Sequence, residues 1–244
     1  MSAPIILNLG CGTKTSPYTV NIDFSIYQRL RKSSIGRAVA VAAIRGERRA
    51  KYDAMDDNLM VHDLRKGIPM PARSVDAVYH SHTQEHIDRA DIPAFFAEVM
   101  RVLRPGGIHR VVVPDLELLV RDYLKSLESG QHEHDRTVYN LLEQSVRREA
   151  FGTSRQGMLR RRVENVLLGD ARRRGETHQW MWDRRNLAEA LDEAGFIGAK
   201  QRDAYASAIP NWQAIGLDLN PDGSVYRPRS LFMEARAPGA RAFQ

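Results

Sequence analysis

Five short runs rich in apolar and β-branched residues recur along the chain, at 5–9, 19–23, 59–63, 75–80 and 108–113. The first is followed by Gly10, the next two close on Asp23 and Asp63, and the fourth on His80. A run that is apolar at nearly every position suits a strand buried on both faces, the kind found in parallel sheets covered by helices. Between the fourth and fifth runs, Ile92, Phe95, Phe96, Val99, Met100 and Leu103 recur at helical spacing behind Asp91 as N-cap and Pro93 in the first turn. A second stripe, Leu116 to Leu127, begins at Asp115 as N-cap and stops at Gly130, and a third helix is expected over 137–150. Asp183 caps a helix carrying Leu187, Ala190, Leu191 and Ala194, Gly195 ends it, and two more strands follow at 196–200 and 230–235. This alternation predicts an α/β fold with a doubly wound, mostly parallel seven-stranded sheet.

At 244 residues the simplest organisation is one domain, 1–244, with two helical inserts, a basic one at 25–57 and an Arg-rich one at 115–178. Inserts at the carboxyl edge of such a sheet usually shape a substrate site, so the second is expected to act as a lid. Apolar residues make up 43% and charged residues 27%, which excludes disordered and collagen-like classes. No apolar run approaches the roughly 20 residues that cross a bilayer, so the expected location is the cytoplasm. The single cysteine, Cys11, cannot close an internal disulfide. The net charge of +6 is unevenly spread: nine arginines stand against three acids between 145 and 174. That stretch either faces water or meets something anionic.

Ligands of open parallel sheets bind beyond the carboxyl ends of the strands, so Gly10-Cys11-Gly12, Asp23, Asp63 and His80-Ser81-His82 belong together. Glycines after the first strand let the backbone approach a ligand closely, an acid ending the second suits a ribose diol, and Asp63 could accept from an adenine amino group. A nicotinamide-dinucleotide site is the chief rival. It requires a third glycine opening a helix, where this turn has Thr15, and only 11–18 separate the first two strands.

The segments Leu7-Asn8-Leu9-Gly10-Cys11-Gly12, Val20-Asn21-Ile22-Asp23, His62-Asp63-Leu64, Ser81 with Glu85-His86-Ile87, and the stretch from Glu98 to Gly107 resemble successive motifs of class I S-adenosylmethionine-dependent methyltransferases of the type 11 kind. The likeness covers about 5–116. It resumes in His178-Gln179-Trp180-Met181-Trp182-Asp183 and Ala194-Gly195-Phe196, features similar to a bacterial subgroup associated with glycan biosynthesis. The resemblance implies a Rossmann-like methyltransferase fold with S-adenosyl-L-methionine as cofactor. Gly10, Cys11 and Gly12 would pass along its methionine, Asp23 would bind the ribose hydroxyls, Asp63 and the Leu64 amide the adenine, and the backbone at His80 would lie near the methionine amino group. The short crossover departs from the family's helix at this point, and Lys14 could supply charge to the methionine carboxylate instead.

Methyl transfer to a hydroxyl needs an aligned acceptor and a base. His82, Asp115 and His178 are the candidates, with His178 favoured and helix capping the competing role for Asp115. His80, His82, Glu85 and His86 also invite a metal reading, because residues two apart on a strand point the same way, but no metal is expected from this untypical spacing. The expected reaction is O-methylation of a sugar hydroxyl on a glycan or phosphate-linked saccharide, with the arginines meeting phosphate or, peripherally, an anionic membrane. Alternatives are O- or N-methylation of a secondary metabolite or of RNA. A non-catalytic interaction protein on the same fold is the alternative of another class. Nucleic acid is disfavoured because Phe151 is the one stacking aromatic in the Arg-rich stretch.

Overall fold

In the computed structural model, which describes residues 3–24, 26–56, 59–129, 134–146 and 178–239, the apolar runs lie side by side in one sheet. The strands are β1 (Ile6–Leu9), β2 (Val20–Asp23), β3 (Met60–Val61), β4 (Val75–Ser81), β5 (Leu103–Pro114), β6 (Ile197–Arg202) and β7 (Ser230–Arg236). Their order is β3-β2-β1-β4-β5-β7-β6, parallel from β3 to β5, with β7 antiparallel to both neighbours. The helices are α1 (Ile26–Arg31), α2 (Ser34–Ala43), α3 (Gly46–Asp53), α4 (Ile92–Val102), α5 (Leu116–Ser129), α6 (His134–Val146), α7 (Arg184–Glu193) and α8 (Trp212–Ile215).

Both faces of the central strands β1, β4, β5 and β7 are buried, which is why they read as largely apolar runs. On one face Leu7, Leu9, Val78, Val111 and Met233 pack against Phe95, Phe96 and Val99 of α4 and Leu187 and Leu191 of α7. On the other, Ile6, Ala77, Tyr79, Val112 and Phe232 meet Trp212, Ile215 and Leu217. Arg110, wholly buried within β5, is held on the second side by Asp218 at 2.7 Å and Glu234 at 2.7 Å, with Tyr79 donating to Asp218 at 2.7 Å.

Several element boundaries differ from expectation for identifiable reasons. β5 begins five residues early, running through Pro105-Gly106-Gly107 as an irregularity of its pairing with β4, with Gly106 at φ 78°. β3 is only two residues long, because the His62 amide makes the last bond to the Asp23 carbonyl and Asp63 then turns the chain. Asp91 makes no capping bond. Asp88 instead accepts from the Ala90 amide in the single turn ahead of α4. Asp183 forms the full capping box with Asn186. The third expected helix is α6, and its expected residues 147–150, with the Arg-rich run 147–174, lie outside the described residues. Within the first insert α1, α2 and α3 follow one another.

The connection from β1 to β2 has no helix, and buried amides take its place. The Asn8 side chain donates to the Lys14 carbonyl and to Asn21 Oδ1, both at 2.9 Å, and Asn21 Nδ2 donates to the Ser16 carbonyl at 3.0 Å. Two of these bonds thus satisfy backbone carbonyls of the loop, and the third joins the two amides.

Candidate functional site

Where β1 ends, Gly10 and Gly12 both adopt left-handed backbone, at φ 64° and 55°. A side chain at Gly10 would collide with Thr83, its Cβ lying 2.4 Å from Thr83 Oγ1, so glycine is required for the first turn to seat against the end of β4. The Gly10 amide donates to the Ile22 carbonyl at 2.8 Å, and the Gly12 amide to Asp23 Oδ2 at 2.5 Å. Asp23 Oδ1 accepts from the Phe24 amide at 2.5 Å. The glycine turn and the acid ending β2 are therefore one unit, with the carboxylate fixed by backbone donors. Cys11 is buried, which pushes its thiol up to about 12, so it contributes shape and main chain rather than reactivity. Lys14 reaches across to the Leu219 carbonyl, with its ammonium 4.9 Å from the Tyr226 ring centroid.

One strand further out, Asp63 caps a single turn over Leu64–Lys66 and holds Arg65 by both oxygens, at 2.9 and 2.7 Å. The Arg65 hydrogen bonds keep this carboxyl below the usual carboxylate range, so it stays an acceptor in neutral solution. Leu64 opens the same turn. His80 sends its ring the other way, into the core beside Phe95, where Nε2 lies 2.9 Å from Nε2 of His109. Burial pulls His80 down to about 3, so any contribution it makes at the strand end comes from its main chain.

The end of β4 gathers the histidines. His82 sits at φ 51°, a left-handed conformation unusual for a side chain of this size, and its amide still bonds the Val112 carbonyl at 2.8 Å. That twist breaks the strand alternation, so His80 and His82 do not converge as their spacing suggested. His82 instead turns Nε2 to Ser230 Oγ at 2.9 Å and Nδ1 to Glu85 Oε1 at 3.4 Å. Glu85 is wholly buried, with His86 Nε2 at 4.0 Å from the same oxygen. Its carbonyl takes the Gln179 amide at 2.6 Å, which ties the returning segment to this turn and brings His178 edge-on to His86, ring centroids 4.9 Å apart. The Nδ1–H of His178 donates to the Gln144 carbonyl of α6.

Asp115 lies at the end of β5, where its Oδ1 accepts from the Glu117 amide at 2.9 Å and more weakly from Leu118. Burial raises its carboxyl above the ordinary aspartate value. Of the three residues expected to act as base, His82 and His178 thus meet around Glu85, while Asp115 caps α5. Thr83, Ser230 and Gln144 were not anticipated. Ser230 reaches His82 from 148 positions away, and nothing local to either residue marks the contact.

Residues 7–111 match the model of a methyltransferase domain family. The match spans the glycine turn, Asp23, Asp63, the end of β4 and most of β5. No curated protein sequence matches the chain. Solved structures similar to it include the complex between the Haloferax volcanii Trm112 methyltransferase activator and a methyltransferase, at 15% identity over 97% of this chain and 84% of that one, TM-score 0.43. An S-adenosylmethionine-dependent methyltransferase from Mesorhizobium loti is 16% identical over 96% and 91%, TM-score 0.41, and one from Archaeoglobus fulgidus 11% identical over 96% and 86%, TM-score 0.41. The sheet order and the domain match, rather than these distant likenesses, define the class. Residues 7–111 thus carry the match of a methyltransferase domain, and the chain has a Rossmann-like fold. Among the described residues no helix is long and apolar enough to cross a membrane.

Proposed function

We propose that the protein transfers a methyl group to a hydroxyl oxygen of a saccharide or phosphate-linked sugar, at a site bounded by the ends of β1, β2 and β4. The observation that carries this reading is the bond from the Gly12 amide to Asp23, which joins the glycine turn and the acid of β2 into one edge. Their chemistry fits the cofactor: a carboxylate fixed at a strand end suits ribose hydroxyls, and left-handed glycines let main chain approach the methionine part closely. Asp63 and the Leu64 amide supply an acceptor and a donor for the adenine edge, and the main chain at His80 an acceptor near the methionine amino group. Cys11 contributes main chain to the same turn. S-adenosylmethionine supplies an activated methyl on a sulfonium when bound.

The protein's own task is to orient the acceptor and take its proton. We assign the base to His82 in preference to His178. Glu85 beside Nδ1 favours the tautomer with its proton there, leaving Nε2, now against the Ser230 hydroxyl, as the acceptor nitrogen. Its strained backbone at a strand end is the kind found at functional sites. Asp115 positions α5. The arginines of the insert 115–178 suit a phosphate-bearing saccharide or the anionic membrane surface that presents one. The saccharide class is supported by the likeness of the 178–183 segment to glycan-associated enzymes and by the basic surplus.

The test has two layers. Calorimetric titration with S-adenosylmethionine is expected to show one site, and a folded sample without binding would sink the cofactor reading. Labelled methyl transfer to lipid-linked saccharides, in parallel with RNA and small phenols, reads the acceptor. His82→Gln should bind the cofactor and lose turnover.

A further inference from the structure

The turn after β4 carries a side-chain set that methyl transfer alone does not require. Glu85, His86 and His178 each offer an atom, a carboxylate oxygen or a ring nitrogen, and these atoms all lie within 4.8 Å of one another. Bonds of about 2.1 Å from a divalent ion to nitrogen or oxygen put two ligand atoms about 3.4 Å apart in a tetrahedral site and at most about 4.2 Å apart. The 4.0 Å between His86 Nε2 and Glu85 Oε1 falls in that range, too long for a hydrogen bond and right for a shared cation. Glu85 is wholly buried, so its carboxylate is held in place beside the two rings.

Two features outside the set prepare it. His178 gives its Nδ1–H to the Gln144 carbonyl, which selects Nε2 as the coordinating nitrogen, the arrangement metal-binding histidines commonly use. The Glu85 carbonyl holds the Gln179 amide, so the two chain segments that supply the ligands are locked to each other by backbone.

We propose that Glu85, His86 and His178 bind a zinc-type divalent transition ion. Two imidazoles and one carboxylate match the borderline ions rather than magnesium or calcium, and three protein ligands leave a position open. His86 and His178 are only half-buried, so that position faces solvent on the histidine side, where an acceptor oxygen could enter. This goes beyond the methyl-transfer reading and can be measured without acceptor or cofactor.

Tag-free full-length protein, stripped with chelator, is titrated calorimetrically with Zn2+, and with Co2+ while the visible spectrum is recorded. One equivalent should bind in the micromolar range or tighter, with the cobalt bands of a low-coordinate site. His86→Ala and His178→Ala should each weaken binding at least about tenfold while circular dichroism stays that of the folded protein. These two variants serve because Glu85→Gln, at a buried position, could fail to fold. Absence of saturable binding, or both variants binding as tightly as wild type, overturns the site. Protein that binds S-adenosylmethionine but no zinc overturns the site alone. Protein that binds zinc but no S-adenosylmethionine supports it and overturns the cofactor reading.

Discussion

Two sets of carboxylates in the sheet are used in opposite ways. At the ends of β2 and β3 they are anchored to backbone: Asp23 to the Gly12 and Phe24 amides, Asp63 to the turn it caps. Beside the middle of β5 they are paired with an arginine: Arg110 binds Asp218 and Glu234 with all three side chains buried. The first set keeps lone pairs near solvent where a ligand can compete for them. The second closes its charges against water, so they specify how β5, β7 and the 203–218 segment dock and are unavailable for chemistry. The lesson concerns site recognition: a charge cluster is a better functional candidate at the end of a strand than in its middle.

Arginine substitutions test that contrast most sharply. Arg110→Met strands two buried carboxylates and is expected to cost about 3–5 kcal/mol in urea denaturation. A cost below about 1 kcal/mol would mean the network is not closed. Next comes pH. His80 and His109 are held neutral by burial, His80 at about 3 against 6.5 when unfolded. The unfolded chain therefore binds more protons below 6.5. Their contribution is complete above pH 6.5 and lost progressively as pH falls toward 3, at a slope approaching about 1.4 kcal/mol per pH unit for each histidine. Denaturation midpoints between pH 7 and 5 should fall accordingly, and His80→Leu should flatten that slope.

In the ligand-facing set, Asp23→Asn keeps an acceptor for the backbone but removes the charge. Calorimetry should show S-adenosylmethionine binding weakened about 10–100-fold, as loss of charge-assisted bonds implies, with thermal stability little changed. The smallest effect belongs to Arg65→Ala. This arginine is largely exposed although its geometry with Asp63 is as good as that of Arg110 with Asp218. Stability should move by no more than about 1 kcal/mol, and cofactor affinity should not fall. A large loss from Arg65→Ala, or a trivial one from Arg110→Met, would erase the distinction between the two sets.

Much of this is legible in the chain. Strands buried on both faces announce themselves as unbroken apolar runs, and the α4 stripe and the Asp183 cap follow from helical spacing. The residues ending β1 and β2 group together on sequence grounds, because parallel sheets bind ligands at that edge. What escapes is backbone geometry and distance in sequence. The left-handed turn at His82 cannot be read from its neighbours, and it decides that His82 meets Glu85 rather than His80. The irregularity at Gly106 lengthens β5 without changing its apolar pattern. His109 hides inside an apolar run, although a histidine amid Ile108 and Val111 has to find a buried partner, and His80 is that partner.

Lys14 gives the chain a temporal constraint. Its ammonium is held by the Leu219 carbonyl and lies over Tyr226, more than two hundred residues downstream, and its own carbonyl is fixed by Asn8. The glycine turn is synthesised about two hundred residues ahead of the contacts that hold the loop behind it. A growing chain on the ribosome therefore carries the turn well before the 219–226 segment that completes it.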